Sequence, residues 1–138
     1  MRLFIENCSR YAVVHGKTRL SPALSILISI TTPGDTLPVI KDKYKRIYRF
    51  SYHDVIDIHD NLVTMSQDDA DKIILALINA FNNDYHVVVH CDAGVCRSGA
   101  VTEAGRGLGF EPINKYIPNV QNKKLLFNAV QRYYEGEL

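Results

Sequence analysis

The residues with the most chemical potential lie in one run, VVVHCDAGVCRSGA, residues 87–100. Cys91 follows a β-rich apolar segment, Arg97 stands six positions later, and Gly94 lies between them. A glycine-containing loop that leaves a strand and opens a helix is an anion site, because successive backbone N–H groups and the helix N-terminus point at one spot. Arg97 adds a planar fork that fits two phosphate oxygens. Helix N-termini and neighbouring arginines are also where thiols exist as thiolates. Cys91 beneath a bound phosphoryl group is then a nucleophile aimed at phosphorus. Ser98 can hydrogen-bond the sulfur and help it leave in a second step. The loop residues Asp92, Ala93, Gly94, Val95 and Cys96, together with Arg97, form the expected phosphate cradle.

That reading requires a strand before the loop and a helix after it, and the hydrophobic pattern supplies both. YHVVVH (residues 85–90) is apolar without alternation, as a central strand covered on both faces reads. Helical spacing resumes from about Ser98 through Ala104 to Leu108. Upstream, residues 2–6, 23–30 and 45–52 read as strands. A brief helix capped by Asn7 or Ser9 runs through Val14 to Gly16. The clearest helix opens with Ser66 and Asp69 in a capping pattern, then places Ala70, Ile73, Ile74, Leu77, Ile78 and Phe81 on one face. Asn82-Asn83-Asp84 ends it. A last helix spans roughly residues 121–134, with Leu126, Ala129, Val130 and Tyr133 on one side. Strands alternating with helices predict an α/β fold, a central, mostly parallel sheet with helices on both sides.

Composition bounds the rest. The 138 residues fit a single domain, residues 1–138, with 46% hydrophobic and 22% charged residues. A net charge of +1 argues against a general nucleic-acid binder. No run approaches the ~20 apolar residues that a membrane span needs. The first residues turn polar too soon for a signal peptide. With three cysteines, Cys8, Cys91 and Cys96, a reducing, cytoplasmic compartment is the expectation.

His90-Cys91-x5-Arg97-Ser98, with Gly94 in the middle, resembles the signature loop of the cysteine-dependent protein tyrosine and dual-specificity phosphatases. The similarity continues through ILISITTPGD, YRFSYHDV, the capped helix and YIPNVQNKKLL, and covers residues 23–134 in the order of the small bacterial and phage-type members. It implies a dual-specificity-phosphatase-like fold and a phosphocysteine intermediate on Cys91. It also implies a phosphorylated protein as substrate, with neither cofactor nor metal. Two positions depart from the family's habits: Cys96, where a serine or other small residue is common, and Ile117, where a basic residue often precedes the proline. Low-molecular-weight tyrosine phosphatases share the loop but take their acid from a later Asp, and this chain has none after Asp92. Rhodanese-like phosphatases lack the His-Cys-x-x-Gly-x-x-Arg-Ser pattern.

The leaving oxygen needs a proton, and the family's acid lies just past the strand that precedes the capped helix. Asp54, Asp57 and Asp60 stand 37, 34 and 31 residues before Cys91. Asp54 is the first beyond the strand and matches an aromatic-x-Asp-aliphatic pattern, so it is the choice; Asp57 and Asp60 are the alternatives. Phosphoinositide and polyphosphate enzymes of the family carry extra basic residues in this loop; here it holds no lysine and one acid, Asp92, so the resemblance implies a singly phosphorylated substrate. An RNA 5′-phosphatase and a non-catalytic phosphate-binding module of the same fold remain as other readings.

The plainer roles are also defined. Cys8 reads as a core residue, and Cys96 as a small loop residue whose alternative role is to form a disulfide with oxidised Cys91. Cys8 is the other thiol available for that reaction. His90 orients the loop through hydrogen bonds rather than moving protons. GRGLG (residues 105–109) follows a helix rather than a strand and therefore reads as a helix terminus, not a nucleotide fingerprint. KDKYKR (residues 41–46) reads as a solvated rim.

Overall fold

The computed structural model describes residues 2–55 and 61–138. Its elements are β1 (Phe4–Ser9), α1 (Arg10–Val14), β2 (Ser25–Thr31), β3 (Ile47–Ser51), α2 (Gln67–Asn82), β4 (His86–Cys91), α3 (Arg97–Leu108), β5 (Glu111–Pro112) and α4 (Val120–Tyr134). A single 3-10 turn, Pro22–Leu24, leads into β2. Among the described residues the strands form one sheet in the order β3-β2-β4-β1-β5. Every pairing is parallel.

β4 lies at the centre because nothing in it resists burial. Val87, Val88, Val89, His90 and Cys91 are all buried. Strand alternation sends Val87, Val89 and Cys91 to one face, where they join Ile5, Ile26, Ile28 and Ile30 against α2, α3 and α4. Each fully buried Ile or Leu there contributes about 1.5–3 kcal/mol. Val88 points to the other face, into a smaller cluster with Leu27 and Val13 of α1, flanked by Cys8, Leu20, Ile40 and Tyr44. The expected two-sided cover is therefore unequal: three long helices on one face, and one short helix with connecting segments on the other. Glu6 pins part of that thinner cover. Its buried carboxylate accepts from the Arg19 N–H at 2.9 and 3.0 Å and the Leu20 N–H at 2.9 Å.

Helix ends follow their caps. Ser66 and Asp69 form the predicted capping box on α2. Gly109 closes α3 in the left-handed conformation at φ 115°. GRGLG is thus a helix end, as read. Ser9, rather than Asn7, caps α1. β1 is shifted relative to the expected residues 2–6, because Asn7, Cys8 and Ser9 continue the ladder beside Val89, His90 and Cys91. The two-residue β5 was not expected. It is too short to show alternation and exists only through pairing with Phe4 and Ile5. No helix among the described residues is long and apolar enough to cross a membrane.

Candidate active site

Cys91 is the last residue of β4, at the carboxyl edge of the sheet, where ligands of open α/β folds sit. It is buried, and its Sγ lies 3.3 Å from Ser98 Oγ in the first turn of α3. No side chain caps α3 at Cys96, so its first N–H groups are not taken by a capping oxygen. That is the arrangement an incoming anion completes.

The loop between them is shaped from behind by β1. Gly94 has φ +74°, and a Cβ there would fall 2.4 Å from the Cys8 carbonyl carbon. Asn7 Nδ2 donates to the Gly94 carbonyl at 2.8 Å, and the Arg10 N–H donates to the Asp92 carbonyl at 3.2 Å. The Asn119 N–H donates to the Cys96 carbonyl at 3.0 Å. With the carbonyls of residues 92, 94 and 96 held by outside donors, the loop's N–H groups are left for its concave side. Close behind, Gly99 lets α3 approach the Ile117 carbonyl, 2.8 Å from where a Cβ would sit.

Arg97 is only 5% exposed, and three acceptors fix it. Nη1 donates to the Tyr52 carbonyl at 2.8 Å and to Thr32 Oγ1 at 3.0 Å, while Nη2 donates to Asp92 Oδ2 at 3.2 Å. Of five guanidinium N–H groups, these bonds use three. Among the described residues Nε–H and the second Nη2–H have no partner, a side-on pair with the geometry for two oxygens of one phosphoryl group. Thr32 also donates to Asp92 Oδ2 at 2.9 Å, closing a ring of Arg97, Thr32 and Asp92. Burial tends to raise the Asp92 carboxyl, but the Thr32 hydroxyl and the Arg97 guanidinium outweigh it and hold the group below its ordinary value.

His90 supports the loop from the sheet. Its Nε2 lies 2.6 Å from Ser29 Oγ, and its Nδ1 lies 3.2 Å from the Cys91 carbonyl. Burial lowers the imidazole from its ordinary value, which favours the neutral ring. Nδ1–H then donates to the carbonyl and Nε2 accepts from Ser29, which makes His90 an orienting group.

Asp54 stands just beyond β3 and is exposed. Asn119 Nδ2 donates to Asp54 Oδ1 at 2.7 Å and to the Val55 carbonyl at 3.0 Å, while Asn119 Oδ1 caps α4 through the Asn122 N–H at 3.0 Å. Asn119 thus ties the Asp54 segment, the Cys96 carbonyl and α4 together. The same segment is held at its other side by His53, whose N–H donates to the Val63 carbonyl at 2.7 Å and whose Nδ1 accepts from the Val63 N–H at 2.9 Å. Asp57 and Asp60 lie outside the described residues.

The structure brings Cys91, Asp92, Gly94, Arg97 and Ser98 around one loop and links Asp54 to it through Asn119. Ala93 and Val95 are exposed on the loop, with Val95 facing an open groove of about 580 Å³ also lined by Lys115, Tyr116 and Ile117. Thr32, Asn119 and the Tyr52 carbonyl escaped the sequence reading. Only Asn119 carried a local signal, as an Asn opening a helix after proline. Cys8 is corrected as a partner for Cys91. It pairs in register with His90, so its side chain lies on the opposite face of the sheet, where its Sγ is 3.8 Å from the Val89 carbonyl.

No protein-family model and no curated protein matches the sequence. Among solved structures, the fold is similar to that of the human tyrosine phosphatase-like serine/threonine/tyrosine-interacting protein. The TM-score is 0.59 at 13% identity, over 91% of this chain and 90% of that one. OH1 from the Orf virus, described as a tyrosine phosphatase with distinct structural features and triple substrate specificity, matches with a TM-score of 0.45 at 15% identity, over 98% of this chain and 76% of that one. The sequence resemblance to the cysteine-dependent phosphatases thus extends to the fold, a small domain with a five-stranded parallel sheet flanked by helices. At 13% identity the likeness is one of fold, which does not separate phosphate binding from turnover. The side chains at the loop must.

Proposed function

We propose that this protein is a phosphoprotein phosphatase, hydrolysing phosphotyrosine and, in a shallow cleft, other protein phosphomonoesters. One observation carries the reading: Cys91 Sγ and Ser98 Oγ are 3.3 Å apart beneath a loop whose arginine keeps two N–H groups unused. A module that only held phosphate would need the nest and the arginine, but no thiol with a hydroxyl beside it.

In the first step the Cys91 thiolate attacks phosphorus and the P–O bond to the leaving group breaks. The leaving oxygen takes a proton from Asp54, whose Oδ1 is held by Asn119. Loop N–H groups and Arg97 stabilise the equatorial oxygens as charge spreads over them. In the second step a water attacks phosphorus and gives its proton to Asp54. The S–P bond breaks, and Ser98 donates to the departing thiolate. Atoms and charge balance with inorganic phosphate as product. The chain's part in this chemistry is complete without a cofactor.

The experiment is turnover of p-nitrophenyl phosphate and of phosphotyrosine and phosphoserine peptides, with triphosphorylated RNA alongside, for the wild type and Cys91→Ser. Peptide turnover that disappears in Cys91→Ser while vanadate still binds is the expected result. Wild-type protein that binds phosphate but turns nothing over would make it a binding module instead. Preference for the RNA would move the substrate class.

A further inference from the structure

The phosphate loop contains a carboxylate that the chemistry above does not use. Asp92 follows the nucleophile directly, and its side chain is 43% exposed at the loop's mouth. It is nonetheless held firmly. Thr32 donates to Oδ2 at 2.9 Å and Arg97 to the same oxygen at 3.2 Å. Its backbone carbonyl takes the Arg10 N–H. Around it stand Thr32 from the segment after β2, Arg97 from α3 and Arg10 from α1. Arg10's own guanidinium is turned to the Thr36 carbonyl. Thus the outer edge of the phosphate-binding arginine is met by a fixed negative charge, while its inner edge stays available.

We propose that Asp92 is a specificity-determining residue that restricts this site to ligands with a single phosphoryl group. This rests on the loop being the phosphate site described above. One phosphoryl group gains the loop N–H groups and the inner fork of Arg97, and that gain exceeds the repulsion from one carboxylate. A second phosphoryl group adjoining the first must sit at the mouth. There it meets Asp92 and finds no free cation on the loop, since residues 92–96 contain no Lys or Arg. Repulsion from Asp92 grows with ligand charge, whereas the donors of the nest are already used. Diphosphates, 5′-triphosphate ends and closely spaced bisphosphates are therefore disfavoured relative to an isolated phosphomonoester.

The test measures binding of inorganic phosphate and of pyrophosphate by calorimetry in a Cys91→Ser background, so that no covalent step intervenes. Asp92→Asn keeps an oxygen for Thr32 and Arg97 but removes the charge. Asp92→Glu keeps the charge. Asp84→Asn makes the same net-charge change at the amino end of β4, at a position of φ 59° where asparagine is well tolerated. In Asp92→Asn, affinity for pyrophosphate relative to phosphate should rise about tenfold, the order expected for a like charge removed from within a few ångströms. Asp92→Glu and Asp84→Asn should leave that ratio within about twofold of the parent. An unchanged ratio in Asp92→Asn, or an equal rise in Asp84→Asn, overturns the proposal. Phosphate that fails to bind the parent at all overturns the loop assignment with it. Normal p-nitrophenyl phosphate turnover by the wild type with an unchanged ratio rejects the role of Asp92 alone.

Discussion

The two segments that converge on the site are built in opposite ways. The 91–97 loop is pressed against the end of β1, with Gly94 in contact with the Cys8 backbone and alternate carbonyls tied to Asn7, Arg10 and Asn119. Asp54 is itself exposed, between the buried Tyr52 and Val55, and its segment is anchored by Asn119 and the His53–Val63 pair. The difference fits the two tasks proposed above. Anion donors stabilise a transition state only when already in place, so their loop is wedged from behind. A proton donor must meet leaving groups of different sizes and needs a hold on one oxygen only.

The strongest way to break this contrast is Gly94→Ala. A Cβ 2.4 Å from the Cys8 backbone at φ +74° forces the loop off β1. Phosphate binding and turnover should both vanish, with a stability loss of about 2 kcal/mol or more in urea unfolding. Near-normal activity would mean the loop is not wedged. On the other side of the contrast, Asp54→Asn should slow phosphotyrosine hydrolysis by about 10²-fold, with phosphate affinity nearly unchanged. If Asp57→Asn does this instead, the acid lies further along the segment.

Asn119 links the two regions, and its two roles can be separated. Asn119→Ser keeps an α4 cap but loses the amide held to Asp54, so kcat should fall several-fold with stability within about 0.5 kcal/mol. Asn119→Ala loses the cap as well and should cost about 1 kcal/mol more. Equal kcat in Asn119→Ser and wild type would remove Asn119 from the positioning of the acid. The smallest expected effect concerns the face behind the loop. Burial, with lesser contributions from Glu6 and Cys91, pushes the Cys8 thiol from 9.0 up to about 12. Below pH 9 it is protonated folded or unfolded. As pH rises from 9 to 12 only the unfolded chain releases its proton, so stability should decline across that window. At pH 8, peptide mapping after iodoacetamide should find Cys8 unmodified in the native protein.

Much of this was legible because the signals were local. The valine run of β4, the Ser66–Asp69 box and the Cys91–Gly94–Arg97–Ser98 spacing each lie within a few residues. Thr32 carried no such signal, since its partners Asp92 and Arg97 are 60 and 65 residues away and only the β2–β4 pairing brings them near. β1 was misplaced for a related reason. Asn7 and Ser9 look like turn or cap residues by type, but the ladder beside β4 overrides their propensity. Asp54 was preferred over Asp57 and Asp60 from its place past β3; the structure ties it to Asn119, while Asp57 and Asp60 lie outside the described residues.

The strand order has a consequence in time rather than in space. β4 lies between β1 and β2, which do not touch each other in the sheet. Of the strands it joins, one ends at Ser9 and the other at Thr31, while β4 begins only at His86. During synthesis these early strands must wait, edges open, until β4 emerges. The closure of such long chain segments slows folding. Cys91 therefore belongs to the strand that completes the sheet's centre, and the phosphate loop cannot exist before the fold does.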